Sequence, residues 1–530
     1  MDKILILDFG SQTTALIGRR IREMGVYAEI IGGDSTITDD MLKETRGIVL
    51  SGSPESVYGA GLAPDKRIYE CGIPLLGICY GLQRMTQDNG GIVNTLPKRE
   101  YGGVGVQIRR PDTVPSHIAP FLNAFCGDFT AWMSHGDTLT SLAPGFIEYG
   151  TSVTGFPAVI AHESKKWFGV QFHPEVTHTE RGAEILTAFA FDICGCAKNW
   201  TMEGYLAELK QELRRRAGDS HVLLLISGGV DSTVTGALLL EALDPERLHF
   251  MYMDTGLMRK NETELVKTNL EKLGARHLHI INCADDFFTV LAGLSAPEDK
   301  RKAIGDMFIT IQEREVTRLG LPDSYLLAQG TLYTDLVESG KGVGNNAHLI
   351  KSHHNVGSPL VEAKRKAGKI IEPLDKLYKD EVRAIGRLLR LDAELVGRHP
   401  FPGPGLAVRI LGEVTREKCE LLREADYIFI NELRKRRVAD GRRTLYDDIW
   451  QAFAVLLPAR SVGVAGDARK YGAVVALRAV TSVDGMTADV YPFQPKDIIE
   501  ISTLITNSIA GIGRVVYDIS SKPPATIEWE

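Results

Sequence analysis

Three short stretches combine residue types at spacings that chemistry can use. Gly77-Ile-Cys79-Tyr-Gly81 sets a thiol between two glycines, after the strand-like Pro74–Leu76 and before Leu82–Asp88, which has helical character. Glycines permit a sharp, strained turn that exposes the thiol, and a helix start lowers its pKa and offers backbone N–H groups. A lone cysteine is more often a small buried hydrophobe, so the turn needs a partner. His173-Pro-Glu175 supplies one: a base at the end of strand-like Trp167–Phe172, two residues from a carboxylate that can orient it. The third stretch, Ser227-Gly228-Gly229-Val230-Asp231-Ser232, joins the apolar run His221–Ile226 to a helical pattern at Thr233–Leu243. Its glycines let backbone come close to a ligand, and its serines and the helix start give donors for an oxyanion. No Gly-Lys-Ser/Thr follows, so it is not a Walker loop.

The elements that must position these stretches alternate between strand and helix, which predicts parallel α/β sheets. In the first region Ile4–Leu7, Val26–Ile31 and Gly47–Leu50 read as strands, and Leu16, Ile17, Ile21 and Met24 mark a helix face. The pattern changes around Ala197–Tyr205, and the charged Tyr205–Arg216 reads as a connecting helix; a boundary falls near 198–204. Strands Leu248–Met253, His277–Ile281 and Tyr325–Ala328 follow, with helices Asn261–Leu273 and Lys302–Leu319. The polar, Gly-rich Glu338–Lys369 reads as a loop or lid. A proline–glycine cluster, His399–Gly405, opens a third region with helix Arg416–Lys435 and strands Val474–Val480 and Val515–Ile519. The expected fold is α/β, with two doubly wound, largely parallel-sheet domains (1–198 and 199–398) and a small α+β domain (399–530).

Composition sets outer limits. A chain of 530 residues is too long for one core and suggests roughly three domains. A net charge of −7 argues against a surface that wraps nucleic acid. No run approaches about 18 apolar residues, so no membrane span is expected, and the start of the chain reads as a first strand; a cytoplasmic protein is the expectation. The seven cysteines are odd in number and scattered, which is not a disulfide framework. Cys194-Gly-Cys196 has no metal-ligand spacing.

Cys79 together with His173-Pro-Glu175 resembles the class I glutamine amidotransferases over residues 1–195. The resemblance implies Cys79 as nucleophile, His173 as base and Glu175 as its orienting group. It places an oxyanion loop at Gly52-Ser-Pro54, with the backbone N–H groups of Gly52 and Tyr80 as donors. It gives the glutamine substrate to Gln83 and to Ser134, His135, Gly136 and Asp137. The nearby His178 is read as structural.

The Ser227–Ser232 loop resembles the PP-loop of the N-type ATP pyrophosphatases. That likeness implies ATP contacts from Ser227, Gly228, Gly229, Val230, Asp231 and Ser232. Met253 and Gly256, and Gln329, Gly330 and Thr331, end the following strands and would join them. Asp231 becomes a magnesium ligand, with Asp335 and Glu338 as further metal contacts; Thr334 stands where related sequences carry proline. His353 and His354 are read as nucleotide contacts within the lid. The third region, from Arg398-His-Pro-Phe-Pro-Gly-Pro-Gly405 to Lys522–Glu530, resembles the C-terminal domain of the GMP synthases. The family implies a homodimer without nucleic-acid or membrane partners, Mg2+ with ATP, and XMP and glutamine as small-molecule substrates. Arg478, Lys522 and Glu528 are then XMP-site candidates. Two other readings compete: a PP-loop enzyme that modifies tRNA, which would favour basic patches and sulfur-carrying cysteines, and a regulatory protein with a decayed glutaminase. The acidic balance opposes the first, and the intact motifs oppose the second.

Overall fold

The computed structural model describes residues 1–59, 61–332, 359–465, 468–482 and 487–530. They form two compact units, residues 1–205 and residues 206–332 with 359–530. The first unit is built on nine strands: β1 (Lys3–Asp8), β2 (Tyr27–Gly32), β3 (Thr45–Leu50), β4 (Leu75–Ile78), β5 (Ile92–Ile108), β6 (Phe129–Ser141), β7 (Phe146–Ser152), β8 (Pro157–His162) and β9 (Trp167–Val170). They lie in the order β2-β1-β3-β4-β9-β8-β7-β5-β6. The first five are parallel, and β8, β7, β5 and β6 extend the sheet antiparallel. Buried on both faces, the inner parallel strands carry unbroken apolar runs such as Ile4–Leu7 and Ile48–Leu50. The antiparallel strands are absent from the sequence reading, and β6 shows why. Phe129, Ala131 and Met133 point inward, but the outward positions include Trp132, and an outward tryptophan blurs the period-2 signal.

The second unit holds a parallel sheet, β12-β11-β10-β13-β14, made of β10 (Val222–Ile226), β11 (Leu248–Asp254), β12 (His277–Asn282), β13 (Leu326–Ala328) and β14 (Ile370–Ile371). It also holds the long antiparallel pair β15 (Gln451–Ala465) and β16 (Ala468–Thr481), with β17 (Asp489–Val490) and the parallel β18 (Ile512–Tyr517) flanking β16. Helix Arg416–Lys435 lies on β15 with Leu422, Phe429 and Leu433 buried. One apolar core runs from Leu223 and Met251 through Leu406 and Leu422 to Leu477 and Ile501. The expected loop 338–369 needs a correction: Pro359–Lys366 is helical, and its charged residues hid the turn from a search for apolar periodicity. Residues 338–358 of that loop lie outside the described residues. No described helix is long and apolar enough to cross a membrane.

His399 opens the proline–glycine cluster and is locked by its neighbours. Its Nδ1 accepts the Ala452 N–H at 3.1 Å, so its proton sits on Nε2 and is donated to the Tyr446 carbonyl at 2.9 Å. The ring stacks on Tyr446 at 3.8 Å. Burial pushes the imidazole down to about 4. The folded state refuses a proton that the unfolded chain accepts below about pH 6.5. Stability is therefore complete above that pH and falls as pH drops from about 6.5 to 4, by about 3 kcal/mol from this group. Denaturant titrations of the second unit at pH 7 and pH 4.5 should show the loss, and His399→Gln should shrink it. An equal pH slope in the variant would assign the effect to other groups.

Candidate active sites

In the first unit, β4 ends at Ile78 and helix Tyr80–Asp88 begins two residues later. Cys79 bridges them at φ 53°, a left-handed backbone for a residue with a side chain, which is the strain of a nucleophile elbow. Its N–H is held by the Val170 carbonyl at 2.8 Å. A Cβ at Gly81 would lie 2.1 Å from the Leu50 carbonyl oxygen, so only glycine lets this helix seat against β3. The His173 Nδ1–H donates to Glu175 Oε1 at 2.7 Å, and the Cys79 sulfur is near enough to favour charge on the ring. Burial opposes charge on His173, but the Glu175 carboxylate outweighs it and holds the imidazole well above the ordinary histidine range. An imidazolium beside the sulfur is the arrangement in which a cysteine attacks as its thiolate. The sequence candidates Cys79, His173 and Glu175 are thus brought together.

The surrounding candidates converge on the same point. Tyr80 is the first residue of its helix, so its N–H lacks an intrahelical partner. The Gly52 backbone lies against the His173 ring, where a Cβ would be 3.1 Å from Cε1. Gln83 donates to the Asp137 carbonyl at 2.7 Å, and the Cys79 thiol faces the Ser134 carbonyl at 3.9 Å. His135 differs: its ring sits on the buried face of β6 between the Asp137 carbonyl and Glu100. The His135 ring is thus taken up by protein, which leaves its backbone and that of Gly136 beside it. The sequence reading passed over Gln171, which is 1% exposed and donates to the Cys79 sulfur at 3.8 Å while accepting from Gln83. Its position two residues before His173, on the same face of a strand end, was the available signal. Gly81→Ala should cost about 1–3 kcal/mol of stability by overpacking. It should also lower glutaminase turnover roughly 100-fold by displacing the thiol. Unaltered turnover would show that this contact does not set the elbow.

In the second unit, Ser227–Gly229 joins β10 to helix Val230–Ala242. Gly228 has φ 77°, and a Cβ there would strike Glu262 and Val266 at 2.8 Å. Ser232 Oγ donates to the Gly229 carbonyl at 3.1 Å, and the Ser227 and Ser232 hydroxyls meet at 3.1 Å. Arg398, missed as a site residue, donates to the Gly228 carbonyl at 2.9 Å and pairs with Glu262 at 2.6 Å, bracing the turn. Gly330 lies against the start of the same helix, 3.0 Å from Asp231 as a Cβ would measure it. Gln329 follows β13, Thr331 donates to Glu372 at 2.8 Å, Met253 lies at the end of β11, and Gly256 follows that strand. These residues share the carboxyl edge of one parallel sheet, the edge on which such sheets bind ligands. Both Asp231 oxygens are held by Lys379, at 2.7 and 2.5 Å. Asp335, Glu338, His353 and His354 lie outside the described residues. Among the described residues no three His, Cys, Asp or Glu side chains group as a metal site.

The three XMP candidates are placed unequally. Glu528 accepts from Arg409 at 2.8 Å and from Gln451 at 2.7 Å. Lys522 pairs its backbone with Ala488. Arg478 is 0% exposed and donates to the Ser520 and Thr526 carbonyls at 2.5 and 3.2 Å, so its guanidinium is committed to protein.

Comparison with known proteins follows the same divisions. The family descriptions that match are "Glutamine amidotransferase class-I" over residues 5–193, "NAD synthase" over 202–300, and "GMP synthase C terminal domain" over 441–529. A "GMP synthase [glutamine-hydrolyzing]" of Aquifex aeolicus is 48% identical over 529 residues, covering 99% of each chain. Relatives of the same description in Photorhabdus laumondii and Proteus mirabilis are 46% and 47% identical, each covering 100% of this chain and 98% of their own. This chain belongs to the glutamine-hydrolysing GMP synthase family.

Proposed function

We propose that the chain converts XMP to GMP at the expense of ATP, taking nitrogen from glutamine and releasing AMP, diphosphate and glutamate. The observation that carries this is the pairing of two unlike sites in one chain, a strained Cys79 with His173–Glu175 and a serine–glycine loop at the edge of a parallel sheet. The Cys79 thiolate attacks the glutamine amide carbon. His173 gives the departing nitrogen a proton, ammonia leaves, and water activated by the same imidazole cleaves the thioester. The Gly52 and Tyr80 N–H groups face the oxyanion in both steps. In the other unit the XMP 2-oxygen attacks the ATP α-phosphorus and diphosphate departs. Adenylation turns a poor oxygen leaving group into a phosphate ester, and ammonia then displaces AMP at the purine carbon.

The Ser227–Ser232 hydroxyls and N–H groups would hold the departing diphosphate, and Gly330 and Thr331 would wall the nucleotide. Mg2+ keeps most of its water and takes one or two carboxylates beside phosphate. Asp231 fits that description, and Mg2+ held there would neutralise diphosphate charge. Lys379 must first leave both Asp231 oxygens. Residues 1–198, 199–398 and 399–530 would carry glutamine hydrolysis, adenylation and XMP recognition, the last also pairing two chains in a cytoplasmic homodimer.

Cys79→Ala should abolish GMP formation from glutamine yet leave formation from ammonium salts within about twofold, because the thiol takes no part in adenylation. Loss of both activities would refute the division of labour. Asp231→Asn should do the reverse. Synthesis from either nitrogen source should fall by about 100-fold or more, as loss of a hard anionic ligand predicts, while glutamine hydrolysis persists. Products measured with XMP, glutamine and Mg-ATP should include AMP and diphosphate; ADP and phosphate would overturn the adenylation reading.

A further inference from the structure

Among the described residues three lysines or arginines are 0% exposed: Lys300, Arg409 and Arg478. All three turn on one stretch, residues 518–530, which contains no helix or strand and bonds its backbone to backbone elsewhere in the unit at two points, the Asp518 N–H on the Leu477 carbonyl and the isolated bridge of Lys522 with Ala488. Arg478 pairs with Asp518 at 3.3 Å, Arg409 with Glu528 at 2.8 Å, and Lys300 with Glu530. The stretch therefore brings one carboxylate to each buried cation. A charge without solvent is tolerable only beside its counter-charge, so each pair fixes a point of an otherwise irregular chain.

Lys300 is the least expected of the three. It lies in the first turn of helix Pro297–Leu319, the end of a helix where positive charge is disfavoured. Its remaining bonds go to the Ala407 and Ile410 carbonyls, at 3.2 and 2.8 Å, around the turn Gly405–Arg409. The neighbouring Arg301 donates to the Glu530 main-chain oxygen. One ammonium group thus ties helix, turn and segment together. Ile527 docks separately, in an apolar cluster with Phe453, Val455 and Val480, so the segment has a hold that does not depend on Lys300.

We infer that Lys300 and Glu530 are positioning residues for the synthetase reaction, their ion pair setting segment 518–530 so that Lys522 and Glu528 meet the xanthine nucleotide. The inference rests on the reading of Lys522 and Glu528 as nucleotide contacts. Removing the whole segment would be a poor test, because it would strand Arg409, Arg478 and Lys300 without their carboxylates. Glu530→Gln keeps the shape and removes the charge.

The experiment uses the full chain and follows GMP formation from ammonium salts against XMP concentration. Glu530→Gln should raise KM for XMP about tenfold with kcat within twofold, and glutamine hydrolysis should not change. Lys300→Met should give the same split, and if it fails to fold the Glu530→Gln result decides. Lys522→Ala is run beside them. A raised KM in Lys522→Ala with an unchanged KM in Glu530→Gln overturns the positioning role and leaves the nucleotide reading intact. An unchanged KM in Lys522→Ala overturns that reading itself. A fall in kcat alone, with a lowered melting temperature, would make the pair merely structural and sink the inference.

Discussion

Both centres depend on how closely one piece of backbone can approach another where a strand becomes a helix. At Gly81 the elbow helix touches the Leu50 carbonyl, and at Gly330 one strand end touches the start of the loop helix. A methyl group at the first position would lie well inside contact distance. The Cys79 φ of 53° is held in place by the close contact at Gly81 and by the Val170 carbonyl that takes its N–H. The same closeness brings helix N–H groups that lack an intrahelical partner next to the Cys79 thiol.

The parallel parts of the fold were legible because burial on both faces writes continuous apolar runs into the sequence. Strands β1, β3, β10 and β11 are found within two or three residues of their reading. Glycine–cysteine–glycine and serine–glycine–glycine are equally legible, since geometry forces those residue types. Less could be read where a side chain acts through a neighbour. Gln171 looks like any polar residue at a strand end until the fold sets it between Gln83 and Cys79. Glu262 and Arg398 are 136 residues apart and brace Gly228 only once folded. His135 sits in a run expected to hold substrate, yet alternation along β6 turns its ring inward.

Charge is handled differently in the two centres. In the first unit a buried pair, His173 and Glu175, stores charge beside the sulfur, and desolvation loses to the neighbouring carboxylate. In the second, charge stands at the mouth of the loop on a partly exposed pair, Asp231 and Lys379. The first is a fixed instrument for one proton. The second can exchange its partners.

That exchange has a consequence for how the loop responds to its surroundings. A carboxylate already holding an ammonium group does not report the concentration of a divalent ion directly; it reports the difference between two competing attractions. Occupancy then depends on where the displaced ammonium goes, and a polyphosphate arriving with the metal offers it an anionic destination. Were Mg2+ to take Asp231 as proposed, metal and nucleotide would become cooperative through the fate of a single side chain, with no change of fold required. Free metal alone would gain little at such a carboxylate, and a loop built this way would favour the metal–nucleotide pair over either component.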